Sequence, residues 1–120
     1  MWKILCASDS AGIKKELDAL DPSFYDVQVA RSFNEACACF IVEPFNIYLL
    51  DADMPGENPI QMVKTVRLVD RNAVVICISE SDSDRLSAIE AGADIFLQSP
   101  VGIGLVRMTI DNLLDKTSAV

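Results

Sequence analysis

Two carboxylates, Asp51 and Asp53, stand at the end of the apolar run Ile47-Tyr48-Leu49-Leu50, just where the chain breaks on Met54-Pro55-Gly56. An apolar run ending at an acid reads as a buried strand whose C-terminal tip reaches the surface, with Pro55 and Gly56 forcing the loop. Such tips are where open α/β sheets keep their chemistry. Three more apolar runs end in the same way, on Ser8-Asp9, Ser79-Glu80 and Ser99-Pro100. The inventory is acids and hydroxyls, without the glycine-rich loop that cradles a dinucleotide. Clustered carboxylate oxygens favour a hard divalent cation such as Mg²⁺, which keeps several of its waters. A merely solvated acidic rim fits the spacing equally well.

The elements that must position these residues follow from periodicity. Short apolar runs at Trp2–Ala7, Tyr25–Ala30, Asn46–Leu50, Ala73–Ile78 and Ile95–Leu97 read as strands. Between them lie helix-period segments at Ser10–Leu20, from the Ser32-Phe33-Asn34-Glu35 capping box to Val42, at Pro59–Val69, at Ser83–Ala91 with Gly92 as its stop, and at Gly102–Leu114. Ile13, Leu17 and Leu20, then Ile60, Val63 and Val66, then Val106, Ile110 and Leu113 supply the inward faces. Five strands, each followed by a helix, demand right-handed crossovers and a doubly wound parallel sheet. The almost wholly apolar run from Ala73 to Ile78 suits the centre of a sheet covered on both faces.

Composition bounds the function. The 120 residues are 51% hydrophobic and 23% charged, enough for one core and a single domain over residues 1–120, with no linker or repeat. Eighteen acidic against ten basic residues leave a net charge of −8, which excludes counterion release from a nucleic-acid backbone as a source of binding. No segment approaches the roughly 20 apolar residues of a membrane span, and Met1–Cys6 is too short for a signal peptide, so a cytoplasmic location is expected. Cys6 and Cys77 lie in strand-like runs, and Cys37 and Cys39 match neither redox nor zinc spacing, so reduced thiols acting as small hydrophobes are expected.

Taken together, KILCASD at the first strand, LLDADMPG at the third, VVICIS at the fourth and AIEAGADIFLQSP across the fifth resemble the receiver domain of two-component response regulators over nearly the whole chain. The resemblance implies a flavodoxin-like sheet of order 2-1-3-4-5 with five helices, and a signalling module rather than an enzyme. It implies that Asp51 accepts a phosphoryl group from a sensor histidine kinase or phosphotransfer protein, forming an acyl phosphate with Mg²⁺ neutralising charge. Asp9, Asp51 and the backbone carbonyl of Asp53 match the metal ligands. Ser79 matches the hydroxyl that bonds the phosphoryl oxygen, and Phe96 the aromatic that turns inward on activation. The fourth helix, fifth strand and fifth helix, through Arg85, Phe96, Arg107 and Asp111, match the face that meets a downstream target, an output domain or a second copy.

Three positions depart from the family pattern. Ser8 stands where a second strand-one acid is usual, Ser99 where a lysine precedes the strand-five proline, and Glu80 where a small side chain is favoured. The segment from Ser79 to Gly92 is also about two residues short. Losing a carboxylate at position 8 weakens Mg²⁺ binding. Losing the lysine removes the fixed cation, no basic residue adjoins any of the four tips at Ser8-Asp9, Asp51-Asp53, Ser79-Glu80 and Ser99-Pro100, and Glu80 sets a like charge beside the phosphoryl group. These changes predict weakened switching, with a phosphorylation-independent protein-interaction module as the alternative. An FMN phosphate loop at Ser8–Gly12 is disfavoured because no Trp or Tyr lies near the tips to sandwich a flavin.

Overall fold

The structure, a computed structural model, describes residues 1–54, 56, 58–102 and 104–118. The elements run β1 (Trp2–Ala7), α1 (Ala11–Asp18), β2 (Tyr25–Ala30), α2 (Phe33–Val42), β3 (Ile47–Asp51), α3 (Pro59–Val69), β4 (Val74–Ser79), α4 (Asp84–Ala91), β5 (Ile95–Gln98) and α5 (Leu105–Ser118). All strand pairs are parallel, in the order β2-β1-β3-β4-β5. The doubly wound, flavodoxin-like architecture is therefore present.

Alternation along the strands divides the core in two, because successive side chains leave a strand on opposite faces. Leu5, Ala7, Tyr48, Leu50, Val75, Cys77 and Phe96 pack against Phe40, Val63, Val66 and Ala88 of α2, α3 and α4. Ile4, Cys6, Ile47, Leu49, Ile76 and Ile78 pack against Ile13 and Leu17 of α1 and Val106 and Ile110 of α5. Burial pushes the thiols of Cys6 and Cys77 up to about 12, consistent with their use as apolar side chains.

Local chemistry sets the helix ends. The side chains of Ser10, Ser32 and Asn58 accept from the backbone N–H groups of Ile13, Glu35 and Gln61, capping α1, α2 and α3. Pro59 opens α3, where its missing N–H costs nothing. Gly92 ends α4 at a φ of 123°. A Cβ there would stand 2.7 Å from Arg67 Cγ. The Arg67 side chain, from the last turn of α3, donates to the carbonyls of Gly92 (2.8 Å) and Ala73 (2.6 Å) and to Asp94 Oδ2 (2.6 Å). The same Asp94 oxygen accepts from Val75 N–H, joining α3, β4 and the start of β5.

The boundaries differ from expectation chiefly at the last helix. It begins at Leu105 rather than Gly102, because Gly104 takes a φ of 79° and holds the chain out of helical conformation. It runs on to Ser118, with no glycine or proline after residue 104 to stop it. β3 and β4 each extend one residue further, so Asp51 and Ser79 are the last residues of their strands rather than the first of their loops. Gly56 has a φ of 79°, as a sharp break requires, while Pro55 lies outside the described residues.

At the opposite end of the sheet from these tips, Ile41 and Val42 close α2, and Leu68 and Val69 close α3. All four are exposed, beside a cleft of about 220 Å³ that Val42 and Val69 line. No described helix is long and apolar enough to cross a membrane.

Candidate phosphoacceptor site

Parallel strands bring their C-terminal ends to one edge, and there the polar residues read from the sequence meet. Asp51 continues the face of Ile47 and Leu49, and Ser8 that of Ile4 and Cys6, so both fall on the side of α1 and α5. Ser8 is 4% and Asp51 2% exposed, and the Ser8 hydroxyl donates to Asp51 Oδ2 at 2.6 Å. Asp51 Oδ1 accepts from Asp53 N–H at 2.9 Å. Burial raises the Asp51 carboxyl above the usual carboxylate range. The bonds from Ser8 and Asp53 N–H pull it back, and the charges of Asp53 and Asp9 push it up again.

Asp53 ties three loops together. Its carboxylate accepts from Glu80 N–H at 2.8 Å and from the Ser99 hydroxyl at 2.6 Å. Ser99 N–H donates in turn to the Ser79 carbonyl. The Glu80 side chain is exposed and does not line the cavity at Asp51; its contribution to this edge is a backbone donor.

Ser79 follows the other face. It continues Val75 and Cys77 toward α4, is 3% exposed, and donates its hydroxyl proton to Asp84 Oδ2 at 2.8 Å. Ser81 N–H donates to the same hydroxyl at 3.2 Å. Phe96 lies on this side too, 6% exposed, with the Arg85 guanidinium 4.8 Å from its ring centroid. Asp84 was not singled out by sequence reasoning. The only signal available was an acid in the first turn of a helix, ordinarily explained by the helix dipole.

A cavity of about 680 Å³ opens beside Asp51, between α1 and the segment leading into α5. Asp9, Asp51, Asp53 and Ser99 line it with Ile13, Val101 and Val106. Lys15, in the last turn of α1, lines it as well. Sequence spacing missed it because it lies eight residues beyond the end of β1. Among the described residues no three His, Cys, Asp or Glu side chains gather as a metal cluster. The set implied by resemblance needs only two side chains, Asp9 and Asp51, with the Asp53 carbonyl. Each Asp51 oxygen accepts one bond here and retains a further lone pair, and the neighbouring negative charges favour a cation. This donor set fits a divalent ion held through few protein ligands.

The expected signalling face is only partly assembled. Arg85 and Arg107 are exposed, but Asp111 accepts a hydrogen bond from Tyr25 of β2, on the far side of the sheet from β5. Asp111 is thereby removed from the face of α4, β5 and α5.

Comparison with known proteins agrees with this geometry. The response regulator receiver domain family matches residues 4–111. Among curated relatives, the transcriptional regulatory protein ResD of Bacillus subtilis (strain 168) is 26% identical over 97% of this chain and 49% of its own length. A probable transcriptional regulator, ycf27, of Porphyridium aerugineum is 32% identical over 98% of this chain and 51% of its own. The chain thus spans about half the length of each. A CheY-like response regulator receiver domain protein from Methanospirillum hungatei JF-1 superposes with a TM-score of 0.86 at 22% identity, covering 99% of this chain and 98% of that one. That likeness carries the fold.

Proposed function

Because the chain belongs to the response regulator receiver domain family, whose standard role is phosphorylation-dependent signalling, we propose that Asp51 is its phosphoacceptor. The observation that carries this reading is a carboxylate 2% exposed at the end of a central strand, facing a cavity and paired with no cation among the described residues. An acid so placed is costly to keep ionised unless its charge is used. An Asp51 oxygen attacks the phosphorus of a phosphohistidine on a kinase or phosphotransfer protein. The P–N bond breaks, the imidazole leaves with its electron pair and takes up a proton, and an acyl phosphate remains.

Receiver domains typically bind Mg²⁺ at the phosphorylation site, and in this chain Asp9, Asp51 and the Asp53 carbonyl are the residues to hold it. When bound it neutralises charge on the transferring group. Ser8 orients the Asp51 carboxylate through its 2.6 Å bond, and the Asp53 N–H fixes the second oxygen. Ser79 supplies a hydroxyl for the phosphoryl group, and Phe96 reports its movement. Ser99 is neutral and already bonded to Asp53, so it gives the phosphoryl group no charge to pull on, and switching is weak. The length of the relatives supports an output domain or separate protein as recipient of the signal, and α4, β5 and α5 remain the surface for a target or a second copy, without Asp111.

The test is intact-mass measurement after incubation with Mg²⁺ and a small acyl-phosphate donor. One phosphoryl group should be added, and none to Asp51→Asn. An unmodified mass under conditions that label other receivers would reject phosphoacceptor function in favour of a phosphorylation-independent interaction module.

A further inference from the structure

We infer that Asp84 and Arg85, consecutive residues in the first turn of α4, are positioning residues that hold Ser79 and Phe96 in the signal-off arrangement, Asp84 by competing with the phosphoryl oxygens for the single proton of Ser79. The inference rests on Asp51 being the phosphoacceptor.

The competition follows from hydrogen-bond capacity. A serine hydroxyl has one proton to donate. In this structure it goes to Asp84 Oδ2, while Ser81 N–H takes up acceptor capacity on the same oxygen. The oxygens of an ionised phosphoryl group accept and do not donate. Ser79 can therefore serve Asp84 or the phosphoryl group, not both, and each turn toward one is a bond lost at the other.

The second half of the latch lies one residue on. Arg85 stacks over the buried Phe96 ring and is tethered by Asp82 at 2.9 Å, so the ring is covered by a guanidinium fixed on the same turn of helix as Asp84. Freeing the Ser79 hydroxyl loosens the attachment of that turn to β4. Freeing Phe96 requires Arg85 to move with it. The two groups expected to move on activation are thus joined through α4 rather than through a lysine at position 99.

An acid in the first helical turn also favours the helix dipole, so the test must separate that structural role from the latch. The 120-residue chain and its Asp84→Asn, Ser79→Ala and doubly substituted variants are titrated with beryllofluoride in the presence of Mg²⁺, following amide and aromatic NMR signals. Asp84→Asn should lower the titration midpoint about fivefold or more, the low end of an allosteric coupling. The lowering should disappear in the Ser79→Ala background. An equal lowering in both backgrounds, or none in either, overturns the inference. If beryllofluoride binds to no chain, the phosphoacceptor reading fails, and the ligand-free spectra decide the latch. Faster exchange of the Ser81 amide and displaced Phe96 ring signals in Asp84→Asn support it, and unchanged signals overturn it.

Discussion

At the N-terminal end of the strands, the Asp94 carboxylate meets the Arg67 guanidinium at 2.6 Å, and the remaining guanidinium donors reach the Gly92 and Ala73 carbonyls. At the C-terminal end, Asp51 is more deeply buried than Asp94 and, among the described residues, meets only a hydroxyl and a backbone N–H, with Asp9 and Asp53 adding like charge. One end closes its electrostatics within the fold. The other leaves a negative charge that an external group must balance, and an imbalance the fold does not need marks where function is held.

Breaking the closed end should give the largest effect. Arg67→Ala strands two backbone carbonyls and should cost about 2 to 3 kcal/mol, with little of it from the half-exposed Asp94 carboxylate, whose pairing solvent screens. Arg67→Lys should recover only part, since an ammonium cannot span the same acceptors. Denaturant midpoints with unchanged m-values would measure both.

Adding charge to the open end comes next. Ser8→Asp replaces a donor to Asp51 with a second carboxylate, and should lower stability by about 1 to 2 kcal/mol without metal. Millimolar Mg²⁺ should restore it and bind more tightly than to the unmodified protein. A Tm indifferent to Mg²⁺ in both chains would remove the metal from this site.

Neutralising Asp51 sharpens the comparison through pH. The folded-state pKa lies above its unfolded value, so the folded protein holds the proton more tightly. Stability from this group is therefore greatest below the unfolded pKa and falls as pH rises through the folded one. In metal-free buffer, Asp51→Asn should be more stable than the parent at neutral pH, with the difference shrinking on acidification below the carboxylate range. Thermal melts across that range would show it. Ser99→Ala should be the mildest change, about 0.5 kcal/mol, since it removes one part-exposed hydroxyl bond to Asp53.

The sequence made the sheet legible because each strand is a short apolar run ended by a turn signal, and α3 was readable to its boundaries from the break before Pro59 and its apolar period. The meeting of Asp9, Asp51, Asp53 and Ser99 was legible too, since a parallel sheet must bring its tips to one edge. The partners of Ser79 and Asp111 were not. Whether a serine donates to a phosphoryl group or to Asp84 depends on which face of β4 it leaves, and whether Asp111 faces outward depends on the rotation of α5. Neither is visible in residue types. Lys15 escaped for a related reason: it joins the cavity lining from the last turn of α1, at a distance in sequence that strand-tip counting does not reach.

The exposed ends of α2 and α3 have a colloidal consequence. Ile41, Val42, Leu68 and Val69 offer an adhesive apolar surface, and at neutral pH copies are kept apart by a net charge of −8. The isoelectric point is about 4.3, so mild acidification removes that repulsion while the apolar side chains stay as they are. Solubility should then pass through a minimum near the isoelectric point, and Leu68→Lys, which adds a positive charge where the surface is stickiest, should shallow that minimum while leaving the Asp51 edge at the opposite end of the strands untouched.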